Sequence, residues 1–227
     1  MARSDSTCWT VIRGAAAGSV TDREEFARRY APVIRTYLAA RWHRSAYEQE
    51  LEDGVQEVFV ECFRQGGILE RADPARPGGF RAFLYGVARK VALRIEARLA
   101  RQRRAQPPGG FDADSLAADE ASLSQIFDRA WAAALLREAA QLQSEQADQA
   151  GEEAVRRVEL LRLRFQEGLP IREIARRWGL APAGLHHEYA KARQEFKAAL
   201  LQVLALHHPG SLSEIEQQCA DLLTIVG

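Results

Sequence analysis

Residues 168–196 read GLPIREIARRWGLAPAGLHHEYAKARQEF, two short helical patterns separated by a glycine. Ile174 and Ala175 share a face of the first, and Gly179 stands where a left-handed residue ends a helix. Leu180 follows as a plug between the two. Pro182 suits the first turn of the second helix, where a missing N–H costs nothing. Leu185, Tyr189, Ala192 and Phe196 then recur at steps of four, three and four, the period of a buried helical face. An ordinary antiparallel helix pair could carry the same spacing. Turn glycine, plug and short first helix together favour a DNA-binding helix-turn-helix.

The buried face leaves His186, His187, Glu188 and Lys191 outward, with Pro182 and Ala183 at the helix start, where base contacts lie. Arg172, Arg176, Lys191 and Arg193 are the nearby candidates for phosphate contacts. Histidine changes charge near neutral pH, so contacts through His186 and His187 would be pH-sensitive.

Three further helices are legible toward the N-terminus. Thr21 and Glu24 have capping-box spacing, and Phe26, Tyr30, Val33, Ile34, Tyr37 and Leu38 keep the helical period, with Pro32 expected to kink the run. A second helix is expected from about Leu51 to Arg64, with Leu51, Val55, Val58, Phe59, Cys62 and Phe63 on one face. Gln65–Gly79 is a loop by its glycines and prolines. Beyond it Phe80, Phe83, Leu84, Val87, Ala88, Val91 and Ile95 form a stripe among arginines, until the QPPGG of 106–110 stops the helix.

Residues 111–151 are rich in Ala, Gln, Asp and Glu, with a helical stretch near 126–142 that holds Trp131, Leu135 and Leu136. Val155, Val158, Leu161 and Phe165 restart the period in a helix that Gly168 ends. No segment alternates with period two, so the fold class is all-α: two helical domains joined by an acidic linker, the second a helix-turn-helix. The boundaries are an N-terminal segment 1–20, a first domain 21–104, a linker 105–153, a second domain 154–204 and a C-terminal helical extension 205–227. In that extension Ser211 and Glu214 form a capping box, and Ile215, Cys219, Leu222, Leu223 and Val226 form a stripe expected to complete the second domain's core.

Composition excludes several classes. Of 227 residues, 47% are hydrophobic and 27% charged, which allows a packed core and argues against wholesale disorder. No apolar run approaches the roughly 20 residues of a membrane span, and the first 18 residues lack a secretory apolar core, so a cytoplasmic protein without membrane insertion is expected. Cys8, Cys62 and Cys219 are too far apart for a redox or zinc motif. His186-His187 and His207-His208 lack the further ligands a metal needs, and there is no phosphate-binding loop or nucleophile motif. Neither an enzyme nor a metal or other cofactor is expected.

The formal net charge is zero, yet the charges are segregated. Arg76–Arg104 carries a net +8, 109–153 a net −8 and Ala154–Leu204 a net +5. Clustered Lys and Arg of this kind are an electrostatic footprint for nucleic acid. On the second helix, opposite its apolar stripe, Asp53, Gln56, Glu57 and Val60 recur at helical spacing and give a face that mixes carboxylates with an apolar residue.

Both halves resemble one family, bacterial RNA polymerase sigma factors of the extracytoplasmic-function type. EDGVQEVFVECF at 52–63 is similar to the helix that binds core polymerase, and FRAFLYGVARKVA at 80–92 to the adjoining promoter-melting segment. LLRLRFQEGLPIREIARRWGLAPAGLHHEYAKARQEF at 160–196 resembles the domain that reads the minus-thirty-five element. The resemblance implies that Asp53, Gln56, Glu57 and Val60 dock on the coiled coil of the β′ subunit. It implies that Phe80, Arg81, Tyr85, Arg89, Lys90, Arg94 and Arg98 handle the melted minus-ten strand, with aromatic stacking on an unpaired base. It further implies contact with the β flap, promoter DNA and, as a further partner, an anti-sigma factor. Lys90 stands where the family often has Asn, and His-His-Glu at 186–188 departs from its basic pattern. The residues alone leave two alternatives open: a helix-turn-helix regulator that works without polymerase, and a sigma-like protein-interaction module.

Overall fold

Phe26, Tyr30 and Phe80 meet with edge-on or tilted rings in the computed structural model, which describes residues 8–73, 76, 78–104, 119–207 and 212–226. Among those residues the fold is all-α, as the missing period-two pattern requires. The helices are α1 Cys8–Ala16, α2 Val20–Arg41, α3 Leu51–Phe63, α4 Gly79–Arg104, α5 Glu120–Ala150, α6 Glu152–Phe165, α7 Ile171–Trp178, α8 Pro182–His207 and α9 Leu212–Val226. Two compact units result. The first holds the described residues up to Ala134, with Leu206, His207 and the end of α9 from Thr224; the second holds Leu135–Ala205 and the rest of α9.

Within the first unit, α1 lies in the segment to which the sequence assigns no element. It buries Cys8, Trp9, Val11, Ile12 and Ala15, packs along α2, and shares a 2.8 Å hydrogen bond between Cys8 Sγ and the Tyr30 hydroxyl. The N-cap of α2 is Ser19, whose Oγ accepts from the Asp22 N–H at 3.3 Å. Thr21, expected in that role, falls inside the first turn because the helix starts earlier. Pro32 lies within α2, and the helix continues past it to Arg41. α3 crosses α2 at Gly54, where a Cβ would stand 2.6 Å from the ring of the buried Trp42. Close approach of the two helices therefore depends on glycine.

The segment read as an acidic linker departs most from expectation. Its residues 105–118 lie outside the described residues, but 119–153 include all of α5 and the start of α6. Leu123, Phe127, Trp131 and Ala132 are buried, and Trp131 stacks on Tyr30 with ring centroids 5.4 Å apart. Phe127 meets Tyr37 and Tyr85 edge-on at 6.0 and 5.3 Å. The first half of α5 is thus core of the first unit rather than a tether. The reason is the period: apolar residues at 123, 127 and 131 share one helical face, and an acidic average conceals them.

In the second unit, Leu160, Leu163, Ile171, Ile174, Ala175 and Leu185 form the core, with Leu169, Trp178 and Tyr189 packed against it. The stripe expected on α6 is displaced. Leu161 is buried as expected, but Val155 and Phe165 are 44% and 68% exposed, and Ala154, Leu160 and Leu163 are buried in their stead. On α9 Ile215, Cys219 and Leu222 of the expected stripe are buried; Ser211 of its expected capping box and the side chains of Leu223 and Val226 lie outside the described residues.

A Phe127→Ala substitution tests the place of α5. If residues 119–134 are core, urea unfolding should show a loss of about 3 to 5 kcal/mol, the usual result of emptying a buried aromatic site. A loss within about 0.5 kcal/mol, typical of surface substitutions, would return the segment to a tether.

Candidate nucleic-acid interface

The end of α7 is fixed by backbone geometry. Gly179 is left-handed at φ 64°, its N–H donates to the Arg176 carbonyl at 3.3 Å, and the Leu180 N–H donates to the Ala175 carbonyl at 2.9 Å. This double closure is the Schellman motif. It turns the chain through Ala181 into α8; Ala181 and the first residues of the helix, Pro182 to Gly184, are all exposed and carry no side chain larger than proline. Leu180, expected as the plug, is itself 39% exposed. Leu185, one turn into α8, fills that place at 2% exposure, since the turn directs Leu180 outward.

Outward from α8 stand the exposed His186, His187, Lys191 and Arg193, while Glu188 is half-buried. The Glu188 carboxylate accepts from Lys191 Nζ at 3.1 Å and from Arg157 Nη1 at 3.2 Å. Hydrogen bonding from Lys191, and then from Arg157, holds its carboxyl below the ordinary range although burial opposes this. Arg157 also donates to Glu195 at 2.9 Å and so ties α6 to α8. Arg172 and Arg176 are exposed, and Arg176 is forked onto Glu173 at 2.8 Å. Arg193 lies over the Tyr189 ring at 5.8 Å. Arg157 carries no helix-turn-helix signal, and its partners Glu188 and Glu195 lie 31 and 38 residues away, so sequence spacing could not find it.

In the first unit, α3 presents exposed Asp53, Gln56 and Val60, the last 66% exposed. Glu57 is half-buried and turned toward α4. It accepts from Arg98 at 2.7 Å and from Arg94 at 3.3 Å, while the buried Glu61 accepts from Arg94 at 3.1 Å. Hydrogen bonding from Arg94 lowers the Glu61 carboxyl against the opposing effect of burial. The structure therefore joins Glu57, expected to face a protein partner, to Arg94 and Arg98, expected to face nucleic acid.

Along the first half of α4, Phe80 is 2% exposed and walled in by Trp9, Phe26, Tyr30 and Trp131. A base-stacking role does not fit that place, because no face of the ring is open. Arg81 pairs with Asp128, and Tyr85 and Arg89 hydrogen-bond Glu120 at 3.3 and 2.9 Å. Glu120 also accepts from Arg41 at 2.8 Å, and Arg41 is shared with Glu96, which in turn accepts from the Trp42 indole at 2.9 Å. Hydrogen bonds from Arg41, then Arg89, lower the Glu120 carboxyl; the bond to Glu120 raises Arg89. Lys90 is exposed. Glu120 and Asp128 are contacts that sequence reading missed, although the negative charge of their segment was visible.

Among the described residues no group of His, Cys, Asp and Glu could hold a metal, and no helix is long and apolar enough to cross a membrane. No family model, curated protein or solved structure matches the chain.

The turn before α8 can be tested at Gly179. An added Cβ would meet nothing within 4 Å, so the effect of Gly179→Ala is conformational strain alone. Denaturant unfolding should show a loss of about 1 kcal/mol, and Gly179→Asn a smaller one, because Asn tolerates the left-handed region. Equal stability of Ala and Gly variants would mean that the residue does not hold this geometry in solution.

Proposed function

We propose that this chain is a sigma factor: it binds core RNA polymerase and directs promoter recognition and melting at transcription initiation. The observation that carries the proposal is the open start of α8, set by a left-handed glycine turn after a short helix, in a chain whose other unit presents a cation-rich helix beside an exposed polar and apolar face. On this reading the two units are two domains, the second a helix-turn-helix that reads duplex DNA, and the protein works in the cytoplasm.

Each part then has a stated role. Asp53, Gln56 and Val60 on α3 meet the β′ coiled coil, with Glu57 beside them. Lys90 and the arginines of α4 follow the phosphates of the opened strand, where each neutralised phosphate adds salt-dependent affinity. On α8 the backbone of Pro182 and Ala183 is close enough to the surface to approach the groove, and His186 and His187 face base edges. Arg172 and Arg193 flank them as phosphate contacts. The β flap and an anti-sigma factor are the further protein partners.

One observation favours a sigma-like interaction module instead: Glu188, Lys191, Glu173 and Arg176 neutralise one another on the helix pair. Run-off transcription with purified core polymerase separates the two. The expected outcome is promoter-specific transcripts that depend on the chain, and a loss of co-purification with core polymerase on Asp53→Arg with an unchanged melting temperature. Polymerase binding without transcripts from any promoter of a random library would favour the module; unaltered co-purification of the variant would remove α3 as the docking face.

A further inference from the structure

On α4, Arg81, Tyr85 and Arg89 recur at steps of four, one helical face, and all three are occupied by carboxylates of α5. Glu120 reaches Tyr85 and Arg89 from the start of α5, and Asp128 reaches Arg81 from two turns further on. A row of carboxylates along a row of cations presents what a nucleic-acid backbone presents: negative oxygens that accept from guanidinium groups. The side chains in these pairs are one-third to one-half exposed, so solvent and competing anions can reach them. The helix that carries the carboxylates is not free to leave, because Leu123, Phe127 and Trp131 beside them are buried.

We propose that α5 is a built-in phosphate mimic: Glu120 and Asp128 occupy Arg81, Tyr85 and Arg89, so that nucleic acid must displace them before it binds the first half of α4. The proposal deepens the sigma-factor reading and rests on its assignment of α4 to nucleic acid. Exposed ion pairs of this kind contribute between zero and about 1 kcal/mol each, so the competition is one of side chains and does not require the helix to unfold. Arg89, Tyr85 and Arg81 swing from carboxylate to phosphate while Trp131 keeps α5 in place. Such a brake suppresses binding by the isolated chain. It yields when a second attachment on the same DNA, or a partner protein, raises the effective phosphate concentration at α4.

Neutralising the mimic is the test. Binding of a fluorescent single-stranded DNA oligonucleotide is followed from low to moderate salt for the full chain and for Glu120→Gln/Asp128→Asn, with Lys90→Ala as a reporter of α4. The amides keep the size of the side chains and remove their charge. The expected result is about fivefold to tenfold tighter binding by the double variant, with a salt slope steeper by about 1.4, the value for two more neutralised phosphates on a single strand. Asp128→Asn alone, which leaves the pairing of the buried Arg41 with Glu120 intact, should give about half that change and serves if the double variant does not fold. Equal affinity and slope for wild type and variants, with binding still weakened by Lys90→Ala, would overturn the mimic and leave the nucleic-acid role of α4 standing. No binding by any of the chains would overturn both.

Discussion

The burial of Trp131 is the constraint on which the arrangement of the first unit turns. Its indole stacks on Tyr30 of α2, meets Phe80 of α4 and Phe127 of its own helix, and is capped edge-on by His207. A side chain of that size has a large apolar area to remove from water, and its rings favour offset or edge-on partners. Once Trp131 is seated, the helical period places Phe127 against Tyr37 and Tyr85 and Leu123 one turn beyond. Glu120 and Asp128 then have no choice of neighbour: they fall beside Arg41, Arg89 and Arg81. The polar contacts of α5 follow from its apolar ones.

The magnitudes agree with that order of cause. Burying a large aromatic side chain is worth more than any one of the surrounding ion pairs, which solvent and salt weaken. Arg41 is the exception among them, since it is largely buried and bridges Glu96 and Glu120, and an uncompensated charge left there by loss of its partners would be costly. Most other pairs decide what is available for binding rather than what is folded. Arg94 and Arg98 are engaged by Glu57 and Glu61, Arg81 and Arg89 by α5, and Lys90 is exposed. A basic helix read from sequence as an open surface is, in the folded chain, a surface already partnered by carboxylates on two sides.

The sequence reveals α2, α3, α4 and the α7–α8 pair because each carries a strong helical period within one segment. α1 escaped because nine residues give too short a pattern to distinguish from a tail. α5 was half seen: its helix was legible around Trp131, but a charge average over 45 residues assigned it to a linker, and composition does not report phase. For the site, exposure of Asp53, Gln56, Val60, His186 and His187 was legible from the opposite apolar stripe. The ion pairs were not, because Glu57 and Arg98 lie 41 residues apart and Arg89 and Glu120 31 apart, beyond the reach of any periodic rule. Phe80 shows the same limit: one of several aromatics at the start of a helix, it could face base or core until Trp9 and Trp131 enclosed it.

The stretch HHE at 186–188 changes meaning once Arg157 is placed. As bare sequence it sets an acidic group on the outward side of α8, a place that would repel phosphate. In the folded unit Arg157 and Lys191 hold the Glu188 carboxylate from two sides, and Arg157 is itself fixed by Glu195. The negative charge is answered from within, and the positive charge of Lys191 is consumed in the same contact. What this end of α8 then offers outward is the exposed stretch of small residues Ala181–Gly184 and two histidines that can each donate or accept. A helix so equipped is poor in general attraction for phosphate and comparatively rich in groups that distinguish base edges. On the proposed sigma-factor reading, affinity for DNA has to come from elsewhere, from Arg172, Arg193 or a partner protein, and the choice of sequence rests on His186 and His187.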